Sequence, residues 1–356
     1  MAGLEKINEL TPEQRAGTVI ISGDVNPELA QDVADRLGVD NLNVETGQHP
    51  NGEEYVNIEG GSVSGKHVIA MQTHAEGNGL KTNDALVQHL LMIAAAKEAL
   101  AGRITAVAPN IYGARQDKRA FGKREPVTIK ATMNLLAAVG ADLALTADIH
   151  SEQSLYSHPG VAKNLRALPL VLTALRGIIP DEELKEAVFA TPDEGGAKTA
   201  RRAAKAFGAR VEILDKQRGE TDSQDVTHIG DELIPDLENR TVVFVEDMID
   251  TAGTIISATN KAVESGAARV VAVATHAWFS GLAIERLLSS GMSDIIVTDT
   301  NPIAYQVQPM FNRSRIAPNL TVVRSGGLIS DGLRQIIGGG DVDAIYEDPR
   351  DSEPTR

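Results

Sequence analysis

The sequence predicts an α/β protein made of two tandem domains, each with a parallel sheet, and three observations point to this fold class. Short aliphatic and β-branched runs alternate with helix-like segments along nearly the whole chain. These runs are apolar throughout, which is typical of strands that are covered by helices on both faces. The chain has 356 residues, which is too long for one ordinary core and suits two domains.

The first half contains four predicted buried strands, one extended segment and three predicted helices. Asn26 followed by Pro27 is typical of a helix start, and Asn83 is expected to cap a long helix that stops at Gly102. The segment 53–60 has alternating apolar residues, which predicts an extended conformation. The strands are expected at 18–23, 67–73, 104–110 and 143–150, and the helices at 27–38, 84–102 and 127–140.

The second half repeats this alternation of strands and helices. Glycine closes each of its predicted helices, at Gly208, Gly266 and Gly291, as expected for helix C-termini. The strands are expected at 188–191, 211–214, 242–245, 269–276 and 294–300.

An internal echo indicates that the two halves are related by duplication. Residues 102–115, GRITAVAPNIYGAR, resemble residues 268–281, ARVVAVATHAWFSG, and each segment is followed by a strand that ends in TAD or TDT. We therefore expect an N-terminal α/β domain at 1–165 that is completed by 310–345, a C-terminal α/β domain at 166–309, and a disordered tail at 346–356.

Composition narrows the classes of function. The formal net charge is -15, which argues against a nucleic-acid partner because such proteins carry a basic face. The chain has no cysteine, which excludes disulfides, thiolate metal sites and a cysteine nucleophile. No apolar run reaches the roughly 18 residues of a membrane helix, and the N-terminus lacks a signal-peptide pattern. We expect a cytoplasmic protein with no membrane partner.

The segment 242–256, VVFVEDMIDTAGTII, carries the clearest chemical signal. Its apolar run ends in Glu246 and Asp247, and Asp250 precedes a Thr-Ala-Gly-Thr turn into a helix. The carboxyl ends of parallel strands open onto the ligand crevice, where acids can bind ribose hydroxyls. Amides at a helix N-terminus and two threonine hydroxyls can bind a phosphate. An acidic helix cap is the alternative interpretation.

A basic loop between a predicted strand and a predicted helix supplies the cations that a polyphosphate needs. Residues 113–119 read GARQDKR, and Arg124-Glu125-Pro126 follow. Arginine can neutralise phosphate oxygens bidentately, although a solvated charge run would look similar. Four more polar blocks stand beside predicted strands, at 49–53, 148–150, 191–196 and 214–218.

These blocks, taken in order, resemble the ribose-phosphate pyrophosphokinase family, whose members have the type I phosphoribosyltransferase fold. The segment 242–256 is similar to the phosphoribosyl-diphosphate motif of that fold, and the resemblance extends from residue 22 to about residue 333. It implies two domains of phosphoribosyltransferase type. It also implies transfer of the diphosphate of ATP to the 1-hydroxyl of ribose 5-phosphate, with Mg2+ as cofactor.

The resemblance implies a role for each block. Lys216 and Arg218 match the two cations of the catalytic loop, and His150 and Asp193 match positions that are linked to the metal. The ATP-binding positions would be His49, Asn51, Gly52, Glu53, Arg115, Gln116, Asp117 and Lys118. The positions for ribose 5-phosphate would be Asp193, Arg218, Glu246, Asp247, Asp250, Thr251, Ala252, Gly253 and Thr254.

Three residues depart from the family pattern. The block 49–53 usually reads Phe-x-Asp-Gly-Glu, but here His49 replaces the aromatic ring and Asn51 replaces the acid. Imidazole can still stack on a purine, whereas asparagine lacks the charge, so the preference for a nucleotide donor stays open. Glu246 stands where the family has aspartate, and its side chain is one methylene longer.

Two other functions share parts of this pattern. A salvage phosphoribosyltransferase would use the ribose turn but would need neither the Arg115-Gln116 block nor two tandem domains. A non-catalytic homologue that regulates a synthetase would not need the residues Lys216, Arg218, His150 and Asp193. The resemblance also implies an active site that is completed across subunits, in a homodimer at least and often in a hexamer.

Overall fold

The structure is a computed structural model, and the chain divides into two compact units. Unit 1 comprises residues 1–165 and 325–356, and unit 2 comprises residues 166–324. Within these units the described residues are 9–192, 194–214, 216–217, 228–229, 234, 236–313 and 317–346. No helix in these stretches is long and apolar enough to cross a membrane.

Unit 1 contains a six-stranded parallel sheet and a separate antiparallel hairpin. Its strands are β1 (Thr18–Ser22), β2 (Asp40–Leu42), β3 (Val44–Gln48), β4 (Glu54–Ile58), β5 (His67–Met71), β6 (Arg103–Val107), β7 (Leu143–Ala147) and β8 (Val161–Leu165). The sheet has the order β2-β1-β5-β6-β7-β8, and β3 pairs with β4. Its first helices are α1 (Pro12–Ala16), α2 (Pro27–Leu37), α3 (Thr82–Glu98) and α4 (Thr128–Ala138).

Both faces of the unit 1 sheet are covered, because alternate residues of its strands enter different cores. Val19 and Ile21 of β1 share one core with Met92 of α3 and Ile129 of α4. Ile20, between them, lies in the other core with apolar residues of α2. This two-sided burial explains why the strands are apolar throughout.

Unit 2 contains a second six-stranded parallel sheet. The described strands of this unit are β9 (Val188–Thr191), β10 (Arg210–Ile213), β11 (Lys216–Gln217), β12 (His228–Ile229), β13 (Thr241–Ile249), β14 (Arg269–Ala277), β15 (Asp294–Thr298) and β16 (Asn319–Val323), and all but β11 and β12 belong to the sheet. The sheet order is β10-β9-β13-β14-β15-β16, and β11 pairs antiparallel with β12.

Helices cover both faces of the unit 2 sheet as well. They are α5 (Leu168–Arg176), α6 (Asp181–Glu186), α7 (Ala197–Phe207), α8 (Gly253–Glu264), α9 (Ala283–Leu288) and α10 (Ile303–Asn312). Phe244 of β13 shares a core with Ile255 of α8. On the other face, the ring of Phe189 in β9 stacks on Phe207 of α7 with 5.4 Å between centroids.

The two sheets have the same topology. Counted along each unit, the six strands of the sheet stand in the order second, first, third, fourth, fifth, sixth. The sequence echo falls on the fourth strand of each sheet, β6 and β14. The predicted fold class, two parallel-sheet α/β domains of duplicated architecture, is therefore confirmed. In both sheets the order reverses between the first and third strands, where a ligand crevice is expected at the carboxyl ends.

The return of the chain to the first domain differs from the expected position at residue 310. β16 pairs with β15, and Leu320 lies in a core of unit 2, so residues 310–324 belong there. Unit 1 resumes at Ser325, where α11 (Gly326–Gly338) contributes Leu333 to the core beside α2. The sixth strand keeps these residues in unit 2 because its apolar side chains complete that sheet.

Two local predictions concern the start of a helix and the C-terminal tail. α3 begins at Thr82 with Lys81 as its N-cap, so the prediction that Asn83 caps this helix is wrong. Asp84 accepts a hydrogen bond from the Lys81 amide (3.3 Å), which ties the first turn to that earlier residue. Of the expected tail, Tyr346 ends a short 3-10 helix, and residues 347–356 lie outside the described part of the chain.

Candidate active site

The acidic segment of unit 2 lies at the carboxyl end of β13. This strand pairs with β9 as far as Phe244, and it continues beside β14 to Ile249. The residues before Glu246 are buried, whereas Glu246 and Asp247 are partly exposed. β13 therefore carries both acids beyond its last pair with β9, at the point where the strand order reverses. This is the ligand-binding position of an open parallel sheet.

The turn after β13 has the geometry of an anion site. Ala252 is left-handed (φ +63°) and is the N-cap of α8, which begins at Gly253. An alanine side chain cannot accept a hydrogen bond, so it leaves the first amides of the helix to other partners. Amides around a left-handed residue form a concave donor surface, and the helix dipole adds positive potential. An alanine in this conformation is strained, and such strain is common in residues at functional sites.

Hydrogen bonds from outside hold the backbone of this turn. Arg286 in α9 donates from Nη1 to the Thr251 carbonyl (2.9 Å), and the Ser280 amide donates to the Asp250 carbonyl (3.1 Å). These bonds engage carbonyl oxygens and so stabilise the conformation in which the amides of the turn can serve a ligand. Sequence reasoning missed Arg286, which stands 35 residues from its partner and belongs to no local motif.

Glu246 has a partner that the sequence does not indicate. Thr191, buried at the end of β9, donates from Oγ1 to Glu246 Oε1 (3.1 Å). The bond links the two strands between which the order reverses, and it directs the longer carboxylate toward β9. A side chain at Gly196 would collide with the Thr191 hydroxyl, so glycine permits this arrangement. Asp193 lies outside the described residues.

The basic loop in unit 1 begins with a tight turn against α4. Gly113 is left-handed (φ +76°), and a Cβ at this position would lie 2.7 Å from Thr128 Cγ2 at the start of α4. The Gln116 amide donates to the Gly113 carbonyl (2.9 Å), and the Thr128 hydroxyl bonds the Gln116 side chain. Arg115, Gln116 and Lys118 are exposed and Asp117 is half-buried, so the structure brings these four predicted residues together at the loop surface.

The Asp-Ile-His block is held by a strand that the sequence analysis missed. Asp148, at the end of β7, is left-handed (φ +35°), and its amide donates to the Leu165 carbonyl of β8 (2.7 Å). The Ile149 amide donates to Asn164 Oδ1 of the same strand (3.0 Å). Ile149 is buried and His150 is exposed, so the block is anchored by its middle residue and presents the imidazole to solvent.

The residues 49–53 form the exposed loop of the β3–β4 hairpin. The His49 amide donates to the Glu53 carbonyl (2.8 Å), and the Gly52 amide donates to the His49 carbonyl (2.7 Å). Asn51 accepts from the Glu53 amide through Oδ1 (3.2 Å), which is a backbone-supporting bond that an aspartate could also make. The His49 ring meets Tyr55 edge-on with 5.8 Å between centroids. Asn51 therefore keeps the shape of the loop and changes only its charge.

The predicted catalytic loop is described only at its base. Lys216 begins β11, where its backbone pairs antiparallel with Ile229 of β12. Gln217 pairs in the same way with His228. The predicted residue Arg218 lies outside the described residues.

The residues that the structure describes contain no group of three or more acidic or histidine side chains that could hold a metal ion. Mg2+ commonly takes one or two protein carboxylates and completes its shell with phosphate oxygens and water. Glu246, Asp247 and Asp250 supply oxygen donors of this type. His150 supplies an imidazole, which suits Mg2+ less well. The donor chemistry therefore fits a metal that arrives with the phosphates of a ligand.

The topology and the strand–turn–helix unit at 241–264 define the class: the chain contains the phosphoribosyltransferase fold twice. The N-terminal domain of ribose phosphate pyrophosphokinase matches residues 18–140, and the phosphoribosyl transferase domain matches residues 161–292. The chain is 35% identical over 318 residues to the ribose-phosphate pyrophosphokinase of Chromobacterium violaceum, covering 89% of this chain and 91% of that protein.

Two further comparisons extend over nearly the full chain. The ribose-phosphate pyrophosphokinase of Burkholderia pseudomallei is 32% identical over 330 residues, which cover 93% of this chain and 98% of that protein. The crystal structure of phosphoribosylpyrophosphate synthetase from Mycobacterium smegmatis has a TM-score of 0.79 and 31% identity, covering 91% of this chain and 100% of that chain. The chain belongs to the ribose-phosphate pyrophosphokinase family.

Proposed function

We propose that the protein transfers the diphosphate group of ATP to the 1-hydroxyl of ribose 5-phosphate. The products would be 5-phosphoribosyl 1-diphosphate and AMP, and the first of these would feed nucleotide biosynthesis. The observation that carries the proposal is the acidic strand end and left-handed turn at 246–254. Similarity along 89% of the chain to a ribose-phosphate pyrophosphokinase supports the same reaction.

Unit 2 would bind the acceptor. The 5-phosphate would accept hydrogen bonds from the amides of residues 250–254 and from the hydroxyls of Thr251 and Thr254. Glu246, Asp247 and Asp193 would accept hydrogen bonds from the ribose hydroxyls. A sugar that is held at both ends presents its 1-hydroxyl in a fixed position, which lowers the entropic cost of the bimolecular step.

Unit 1 would bind the donor. Arg115 and Gln116 would contact the phosphates of ATP, with Asp117 and Lys118 beside them, because the tight turn at Gly113 presents these side chains at the loop surface. The arginine can neutralise two phosphate oxygens at once. The exposed hairpin loop, with His49, Asn51, Gly52 and Glu53, would contact adenine.

The chemical step is a substitution at the β-phosphorus. The oxygen of the 1-hydroxyl forms a bond to this phosphorus, the bond to the oxygen shared with the α-phosphate breaks, and AMP leaves with that oxygen while the hydroxyl proton is released. Catalysis then consists of positioning and charge neutralisation. Lys216 and Arg218 would stabilise the charge that develops on the transferred group.

We propose Mg2+ as the cofactor, held beside the ATP phosphates with Asp193 and His150 as its protein contacts. When bound, the ion would neutralise phosphate oxygens and orient them. The exposure of the hairpin loop supports a further proposal, that it reaches the adenine of ATP in a second copy of the chain. The working protein would then be a homo-oligomer built from dimers, and we expect it in the cytoplasm.

An assay that contains only ATP, Mg2+ and ribose 5-phosphate tests the reaction. We expect equal amounts of AMP and 5-phosphoribosyl 1-diphosphate, and no AMP when the sugar is omitted. A salvage phosphoribosyltransferase would form no AMP but would consume 5-phosphoribosyl 1-diphosphate when a purine base is present. A regulatory homologue would form no product in either mixture.

Two variants test the assignment of the catalytic loop. Lys216→Ala should lower kcat by about 10²- to 10³-fold, because it removes the charge that would stabilise the transition state. Lys205→Ala is the control, since Lys205 is an exposed lysine on α7 of the same unit. Equal kcat values for the two variants would show that the role given to Lys216 is wrong.

Binding of the acceptor can be followed without turnover. Trp278 is the single tryptophan of the chain, and its amide donates to the Ile249 carbonyl (2.9 Å), directly before the turn. Its fluorescence should therefore change when ribose 5-phosphate is added and should saturate with the sugar. If the fluorescence of an active preparation does not change with added ribose 5-phosphate, the sugar does not bind at this turn.

A further inference from the structure

Two buried histidines form a continuous chain of hydrogen bonds inside unit 1. His74 follows β5 and His89 lies in α3, and both side chains are fully buried. His74 Nε2 is 2.9 Å from His89 Nδ1, and His89 Nε2 is 3.0 Å from the Ala70 carbonyl oxygen. The Tyr112 amide donates to His74 Nδ1 (3.0 Å). All four ring nitrogens of the pair therefore have partners.

These bonds determine where each ring carries its proton. A backbone amide can only donate, so His74 Nδ1 accepts and the proton of this ring is on Nε2. His89 Nδ1 then accepts from His74, and His89 Nε2–H donates to the Ala70 carbonyl. Both rings are neutral in this arrangement. A second proton on either ring would place two N–H donors opposite each other, and one hydrogen bond of the chain would break.

The chain of bonds ends at the start of the basic loop. The His74 amide donates to the Asn110 carbonyl (2.9 Å), and the Tyr112 amide donates back to the His74 ring. His74 therefore bonds the backbone on both sides of Ile111, which is itself buried. Arg115 follows three residues after Tyr112, so the loop that carries it starts from a fixed point.

We propose that His74 is a positioning residue for the nucleotide, and that His89 supports it by fixing its tautomer. His74 would hold the backbone from which Arg115 and Gln116 reach the phosphates of ATP. The inference rests on the proposed function for the identity of the ligand. The bond to the loop itself rests only on geometry.

A packing role alone does not account for this arrangement. Two aliphatic side chains of similar size would fill the same space without any polar group that must be satisfied. Such a pair could not accept a hydrogen bond from the Tyr112 amide, which would lose this partner. The histidines therefore act specifically on the backbone at the start of the basic loop.

Three substitutions separate positioning from packing. His74→Leu introduces an apolar side chain of similar size and removes the acceptor for the Tyr112 amide. His74→Asn keeps an acceptor, because Asn Oδ1 takes nearly the same position as His Nδ1. His67→Leu is the matched control: His67 begins β5, and its ring bonds Thr105 Oγ1 (2.8 Å), far along the strand from the loop. His74→Ala replaces the leucine variant should that one fail to fold.

The Michaelis constants of the two substrates give the first readout. His74→Leu should raise KM for ATP about tenfold, which corresponds to one net hydrogen bond, and should leave KM for ribose 5-phosphate within about twofold. His74→Asn should restore most of the ATP value. His67→Leu should change neither constant, even if its melting temperature falls as much. An unchanged KM for ATP, or equal rises in both constants, would overturn the proposal.

Limited trypsin digestion gives a second readout that needs no activity. Lys118, Arg119, Lys123 and Arg124 are exposed cleavage sites in the loop. Mass spectrometry should show faster cleavage at these sites in His74→Leu than in the parent, His74→Asn or His67→Leu. If the parent makes no AMP, the proposed function fails, yet this digestion still tests the loop. If the parent is active and loop cleavage is unchanged, the positioning role fails.

Discussion

At the scale of single residues, the most informative contact is the bond between Thr191 and Glu246. A carboxylate at the end of a β-strand can swing between rotamers, and a glutamate has one more rotatable bond than an aspartate. The Thr191 hydroxyl limits this freedom by donating a hydrogen bond to Glu246 Oε1 across the reversal point of the sheet (3.1 Å). The threonine thus offsets the extra length of Glu246 by orienting it.

Replacing Thr191 by valine, which has nearly the same shape, tests this role. We expect KM for ribose 5-phosphate to rise about three- to tenfold, because a bond of ordinary strength that orients a ligand contact is lost. KM for ATP should stay within about twofold.

Thr259→Val is the control for this measurement. Thr259 is also buried in unit 2, but its hydroxyl bonds the Ile255 carbonyl of its own helix (2.8 Å). A similar rise in KM for ribose 5-phosphate in both variants would indicate a general loss of stability and would remove the orienting role from Thr191.

The acids of β13 were predictable from sequence, but their supports were not. Glu246, Asp247 and Asp250 follow an apolar run directly, so a local pattern reveals them. Thr191 stands 55 residues from Glu246, and His74 stands 38 residues from Tyr112. Only the folded sheet brings such pairs together, and no spacing rule in one sequence indicates them.

At the scale of elements, buried strands and long helices were predictable, whereas three of the four strands at the edges of the two sheets, β2, β8 and β16, were not. β8 and β16 end their sheets and have a neighbour on one side only. β8 reads VAKNL, and its Val161 is exposed. A strand with one open edge keeps polar residues, so it lacks the continuous apolar run that marks a central strand. The hairpin partner β3 was missed for the same reason.

A helix outside the predicted motif, α9, provides the next prediction. Its Arg286 donates to the Thr251 carbonyl in the turn between β13 and α8 (2.9 Å), which we propose binds the 5-phosphate. We expect Arg286→Gln to raise KM for ribose 5-phosphate about tenfold, because both the bond and a positive charge near the anion are lost. Arg286→Gln should thus affect KM for ribose 5-phosphate and not KM for ATP, whereas His74→Leu should affect KM for ATP alone.

Two control variants test whether the effect is specific to the charge and position of Arg286. Arg286→Lys keeps the charge and should recover part of the affinity for ribose 5-phosphate. Arg176→Gln removes an arginine of α5 whose side chain bonds Asp181 (3.2 Å) and should leave both Michaelis constants unchanged. If Arg286→Gln raised both constants equally, α9 would be a structural support with no preference for the acceptor side.

At the scale of the whole molecule, buried histidines make unit 1 sensitive to acid. Burial lowers the pKa of His67 and of His89 from 6.5 to about 4, and it also lowers the pKa of His74 and His158. All four residues belong to unit 1. The folded state disfavours the extra proton, so each group contributes stability that is lost as the pH falls below 6.5, and for His67 and His89 the loss continues to about pH 4.

Acid should therefore weaken unit 1. For His67 alone, the free energy of unfolding should fall by roughly 2 kcal/mol between about pH 7 and pH 5, and this part of the loss should be absent in His67→Leu. Urea titrations followed by far-UV circular dichroism measure it, since Trp278 lies in unit 2 and reports on that unit. Parallel pH curves for parent and variant would contradict the assignment.

The duplicated topology does not give two equal crevices. At the reversal point of unit 1, Gln88 Nε2 donates to Asp24 Oδ2 (2.8 Å), and Gln72 Nε2 donates to Gln88 Oε1 (2.5 Å). Thr46 Oγ1 also donates to the Asp24 carboxylate (2.7 Å). These side chains occupy in unit 1 the position where unit 2 has its acidic strand end. The same architecture thus carries an acidic strand end in one copy and a hydrogen-bonded polar network in the other.

The insertion of unit 2 within unit 1 has a consequence for synthesis on the ribosome. Residues 166–324 form a continuous segment, so unit 2 can complete its sheet while translation is still in progress. Unit 1 starts first but needs Leu333 and Ile336 of α11 for its core. Unit 1 therefore emerges before unit 2 but is completed after it, because the apolar face of α2 stays uncovered until α11 has been synthesised.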